Sequence, residues 1–130
     1  MPKNLVDTNL IIRFLSQDDP QKASRVEALF RKTTESYFLP DLVVAEVIWV
    51  LLSTYKLTKN QVIDDIRSLI AVNSISCNYS LLNHALGIWQ PHNISFVDSY
   101  LAALAIQKES NLYSFDKDFD KIPTVKRSEP

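Results

Sequence analysis

The sequence predicts an α/β protein, a three-layer α/β/α sandwich built on a short parallel sheet. Three observations carry that expectation. Short apolar runs alternate along the chain with longer stretches of helical periodicity. The short runs are apolar on both faces, so layers of helix should cover the sheet on two sides, as in parallel sheets. The chain has 130 residues, 46% of them hydrophobic and 22% charged, which suits one ordinary core; a single domain over 1–130 is expected.

Lys3–Asp7 (KNLVD) is predicted as the first strand. Asp-Thr-Asn then opens a helix carrying Leu10, Ile11, Phe14 and Leu15. Pro20 fits the first position of a second helix, where its missing N–H costs nothing; Ala23, Val26, Leu29 and Phe30 follow at helical spacing. Ser36–Leu39 is the second strand. Asp41–Tyr55 reads as an apolar helix capped by Asp41 just after Pro40, and wet on little of its surface. Thr58 begins a helix whose inward stripe is Val62, Ile66, Leu69 and Ile70. Ser74–Cys77 is a strand, Tyr79–Trp89 a helix stopped by Pro91, and Ser95 opens the helix FVDSYLAALAIQKE. Leu112–Phe115 is a further strand and Thr124–Lys126 a last edge strand. With Gly87 the one glycine, Asn, Asp, Ser and Pro are expected to make the turns.

A formal net charge of -1 offers no global basic field for nucleic acid. A set of acids gathered at one site and neutralised by metal would, however, leave the remaining surface net basic. One cysteine, Cys77, excludes an internal disulfide and suits a reducing cytoplasm. The opening MPKNLVDTNL lacks the pattern of a signal peptide, and no apolar run reaches the ~20 residues a bilayer needs. A cytoplasmic protein without a membrane partner is expected.

Within DLVVAEVIWVLL one carboxylate, Glu46, interrupts an otherwise apolar run. Buried there, it should neutralise, pair with a cation such as Arg67, or bind a metal. Asp7 lies where a strand passes into a helix, Asp116 just beyond another strand, and Asp98 in the first turn of the helix before that strand. Ligands of parallel α/β sheets bind outside the carboxyl ends of the strands. Plainer roles exist: Asp7 as a helix cap, Asp98 in a capping box with Ser95, and Asp116, Asp118 and Asp120 as a solvated turn. Carboxylates crowded together need a cation between them, and an all-oxygen set selects Mg²⁺ or Mn²⁺. His84 and His92 sit apart, which argues against zinc.

VDTN at 6–9, AEV around Glu46, VDSYLAALA around Asp98 and YSFDKDF at Asp116 resemble the PIN-domain signature, in particular that of VapC-type toxins of bacterial toxin–antitoxin pairs. The resemblance spans essentially the whole chain, in order. It implies a PIN-like fold and a Mg²⁺-dependent ribonuclease, with Mn²⁺ as the other ion, cleaving RNA internally. It also implies that Asp7, Glu46, Asp98 and Asp116 ligate the metal directly or through water, with Asp118 the alternative fourth ligand or the ligand of a second ion. Thr8 and Ser114 would orient carboxylates and phosphate, and Asn9 completes the first motif. Asn111 stands where the family often has glycine, a place where Asn tolerates the left-handed conformation. An antitoxin protein packing on apolar helices and a homodimer are implied partners, beside RNA; Trp49, Trp89 and the exposed part of the helix after Thr58 are candidates for such contacts, and Val47, Ile48, Leu51 and Leu52 should split between core and interface. For phosphate contact the candidates are Arg13, Lys22, Arg25, Lys56, Lys108, Lys117 and Lys121.

Three rivals remain at this point. One is a catalytically weak, metal-binding PIN scaffold. Another is a haloacid-dehalogenase-like phosphatase, which needs a second Asp where this chain has Asn9. A phospho-receiver domain would also place acids at strand ends, with Lys117 only a turn residue. Ser99, Ser114 and Cys77 lack a partnered His, which argues against covalent catalysis.

Overall fold

The computed structural model describes residues 4–32 and 34–130. Two compact units make up the chain, Met1–Tyr79 and Ser80–Pro130. The start of the first predicted strand, Lys3, lies outside the described residues.

In the first unit, β1 (Asn4–Leu5), β2 (Tyr37–Phe38) and β3 (Ile75–Ser76) pair in parallel in that order. Asn4 stands beside Tyr37 and Leu5 beside Phe38; Tyr37 stands beside Ile75 and Phe38 beside Ser76. Leu39 N–H donates to the Ser76 carbonyl at 2.8 Å, extending the ladder by one bond. The crossovers are helical pairs: α1 (Thr8–Ser16) and α2 (Pro20–Phe30) join β1 to β2, and α3 (Asp41–Ser53) and α4 (Lys59–Ile70) join β2 to β3. α1 packs on α2 and α3, and α3 on α4. Ile11, Leu39, Val44, Val47, Leu51, Val62, Ile66 and Leu69 are sealed from water between them. Phe30 meets Phe14 edge-on at 5.0 Å, and its carbonyl accepts from the buried Ser74 hydroxyl at 2.7 Å.

Helix starts follow local chemistry. Asp19 accepts from Lys22 N–H ahead of Pro20, and Thr58 forms a reciprocal capping box with Gln61. α3 departs from expectation: Pro40, not Asp41, is its cap residue, and no side chain caps it. Asp41 instead accepts from Asn78 Nδ2 at 3.0 Å while standing in the first turn, where a carboxylate still complements the helix dipole. The helix is also wetter than its apolar run implied. Leu42 is 81% exposed, Trp49 66%, and Glu46 is exposed on the same side. Val44, Val47, Ile48 and Leu51 are the buried face, with Leu52 half-buried.

The second unit holds α5 (Tyr79–Trp89, starting at the boundary), α6 (Phe96–Gln107), β4 (Leu112–Tyr113), a 3-10 turn (Lys117–Lys121) and β5 (Arg127–Ser128). Leu82, Ala85, Leu86, Ala102 and Ala103 are fully buried. Trp89 is buried too, its indole donating to the Ile94 carbonyl at 3.0 Å and meeting Phe96 edge-on. β4 and β5 pair in parallel, Leu112 beside Arg127 and Tyr113 beside Ser128. The last strand was expected at Thr124–Lys126; it begins later because Thr124 has φ 72°, which no strand accommodates.

The parallel pairing and the alternation of strand and helix are thus as expected, with the ladder divided as three strands and two. Asn and Asp do not supply the left-handed turns. Gln17, Lys56 and Glu109 do, each just past a helix end, where that conformation serves the last carbonyls. Ahead of β4 the left-handed residue is Glu109, two places before Asn111, whose tolerance of that conformation is not called on.

Candidate functional site

Asp7 ends the segment that follows β1 and caps α1, its Oδ1 accepting from Leu10 N–H at 2.9 Å. The plain capping role is real, and it leaves Oδ2 with no partner among the described residues. A fixed carboxylate with one oxygen spare can both cap and ligate. Beside it opens a cleft of about 670 Å³. Asp7, Thr8, Asn9, Ile12 and Arg13 line it from the first helix, Val43, Glu46 and Val50 from α3, and Thr54 and Tyr55 from just beyond. Glu46 makes no hydrogen bond or ion pair among the described residues. The expected burial of this carboxylate is overturned: it faces open solvent in the cleft, and the alternative of a partner in Arg67 is not taken up.

A network not legible in the sequence braces one wall. Asp18 accepts from Tyr55 Oη at 2.7 Å, Ser16 Oγ at 2.8 Å and Arg13 Nη1 at 2.9 Å. The Tyr55 hydroxyl above all, then the Ser16 hydroxyl and the Arg13 guanidinium, lower the Asp18 carboxyl to about 2. Arg13 Nε is buried without a partner. Asp18 and Tyr55 are 37 residues apart, so spacing gave no signal of their contact.

In the second unit Asp98 stands half-buried in the first turn of α6, its backbone N–H donating to Ser95 Oγ at 3.0 Å. That is one half of the capping box, the plainer alternative there. Asp116 caps the 3-10 turn through Oδ1, which accepts from Asp118 N–H at 2.9 Å. Ser114 Oγ accepts from Asp116 N–H at 2.9 Å, so this hydroxyl fixes the backbone that carries the carboxylate. Of the neighbouring acids, Asp118 pairs with Lys121 at 3.0 Å and Asp120 grips Arg127 through two bonds, at 2.9 and 3.1 Å. Arg127 holds the Asp120 carboxyl below its ordinary range. Asp116 is the acid of that turn without an ion pair among the described residues, its Oδ2 unengaged.

Among the described residues no group of three or more His, Cys, Asp or Glu side chains is placed to hold a metal ion. Asp7 and Glu46 nevertheless share one cleft. Two carboxylates, with waters and substrate phosphate completing an octahedron, are a donor set that Mg²⁺ commonly takes, and the oxygen-only chemistry fits that ion.

The observations define an α/β protein whose first βα junction opens a carboxylate-lined cleft. The PIN-domain family model matches residues 5–125, and the chain belongs to that family. Comparison with curated proteins gives no match. Two solved structures are similar over nearly their whole length. One is VapBC2 from Rickettsia felis bound to a DNA fragment from their promoter, at 14% identity, covering 97% of each chain with a TM-score of 0.41. The other is VapC20 from Mycobacterium tuberculosis, described as a Sarcin-Ricin loop cleaving toxin, at 20% identity, 92% and 94% coverage and a TM-score of 0.43. No helix among the described residues is long and apolar enough to cross a membrane.

Proposed function

We propose that the chain is a Mg²⁺-dependent endoribonuclease and the toxin of a toxin–antitoxin pair, acting as a homodimer that a protein antitoxin restrains. The observation that carries this reading is the pairing of Asp7 and Glu46 in one cleft of a PIN-family chain, beside Thr8 and Asn9. Asp98 and Asp116 are proposed as further ligands of the same ion on their motif positions alone. Asp116 is preferred to Asp118, whose carboxylate is already paired with Lys121.

A divalent ion held there would supply positive charge to the phosphate and acidify water. The residues do the rest. Asp7, locked by its bond to Leu10 N–H, presents a carboxylate oxygen in a set direction, without the entropic cost of ordering it during the reaction. Glu46, unpaired and in contact with solvent, takes the proton of the attacking water as the new P–O bond forms; the scissile P–O bond breaks and its leaving oxygen takes a proton from solvent water. Thr8 and Asn9 have donors at the same edge to orient the phosphate.

Purified chain incubated with structured and single-stranded RNAs tests this. Cleavage should require Mg²⁺ or Mn²⁺ and stop in excess EDTA. Glu46→Gln should lower kcat by about 100-fold or more, the span expected for loss of a general base. EDTA-resistant cleavage, or Asp98→Asn cutting RNA like the unaltered chain, overturns the reading.

A further inference from the structure

A second groove, about 350 Å³, runs between α1 and α2. Asn9 and Arg13 line it from α1; Lys22, Arg25, Val26 and Leu29 line it from α2. Positions 22, 25 and 29 recur at helical spacing, so one side of α2 delivers two cations and an apolar floor together. Neither Lys22 nor Arg25 makes an ion pair among the described residues. Arg13 gives only Nη1 to Asp18, and its Nε is buried without a partner. Lys22 and Arg25, with no counter-charge of their own, repel each other, and a polyanion relieves that repulsion on binding. Asn9 and Arg13 also line the cleft of Asp7 and Glu46, so the groove continues directly from it.

We propose that the α1–α2 groove is a phosphodiester-binding track, in which Arg13, Lys22 and Arg25 hold the RNA backbone next to the phosphate addressed by Asp7 and Glu46. The proposal rests on the ribonuclease reading and deepens it by fixing where the substrate strand continues. Contacts to phosphates position a strand without reading its bases, so the track acts on every sequence alike.

The test measures binding of a mixed-sequence single-stranded RNA oligonucleotide across a salt series, in the full chain carrying Asp7→Asn so that nothing is cut. Adding Lys22→Ala and Arg25→Ala should weaken binding about tenfold at low salt and flatten the plot of log affinity against log salt by about 0.7 per lost contact. Lys22→Arg with Arg25→Lys should restore both. Arg31→Ala, at the cap just past the end of α2 and outside the groove, should change neither. With Asp7 intact, the double alanine variant should raise KM for RNA and leave kcat near its original value. Unchanged affinity and slope overturn the proposal. So does unchanged RNA binding with lost binding of a polyglutamate peptide, which would give the groove to an acidic protein segment. If the unaltered chain cuts no RNA, yet the salt slope still depends on Lys22 and Arg25, the chemistry fails and the track stands. Cleavage indifferent to both residues sinks the track alone.

Discussion

Asp18 shows how a single exposed acid can organise the wall of a cleft. Three donors converge on it, and its two oxygens tie the loop after α1 to the segment after α3. Because those bonds favour the ionised form, its folded value of about 2 lies below the ~3.9 of an unfolded aspartate. Its contribution to stability is therefore complete above pH ~4 and fades as pH falls towards 2. Tyr55→Phe removes the first of the three bonds. It should lower Tm at neutral pH, and the deficit should shrink on acidification through that window; thermal melts across the series check it. A deficit independent of pH would assign the loss to packing. The site residues divide by how far their partners lie along the chain. Asp7 announced itself by its place before Thr8 and Asn9, and Ser114 by its place before Asp116. The Arg13–Asp18–Tyr55 contact had no such mark, because only the folding of α3 against α1 creates it.

At the level of elements, α3 tests how far pattern can be trusted. Its residues are apolar nearly all round, so periodicity could not say which face was covered. The structure buries Val44, Val47, Ile48 and Leu51 and leaves Leu42 and Trp49 in water. Leu51→Ala should therefore cost about 2–5 kcal/mol, the range for emptying a filled core position. Leu42→Ala should stay within about 0.5 kcal/mol. Paired denaturant titrations of the two variants decide, and equal losses would mean that α3 is turned otherwise. Helices with polar signals at their starts were legible: Asp7, Pro20, Thr58 and Ser95 each stand where the structure begins an element. Short strands were legible in place and blurred in extent, since two residues carry no period of their own. The displaced β5 had a cause that no apolar pattern reveals, the left-handed Thr124.

Taken over the whole chain, each unit carries its own sealed side chains, such as Leu69 in one and Leu82 in the other. A single cooperative domain over 1–130 is the proposal that native-state hydrogen exchange can decide. The slowest amides of the first unit, such as Leu39 N–H on Ser76, and those of α6 should open with the same free energy. Two separate ceilings would divide the chain into independently melting parts. One more property of the intact molecule follows from Arg127, whose side chain is only 13% exposed because Asp120, Glu129 and the Ser114 carbonyl all hold it. Trypsin must draw an arginine out into its own specificity pocket before it can cut. In a brief native digest, the peptide bond after residue 127 should therefore survive while exposed sites such as Lys108 are nicked.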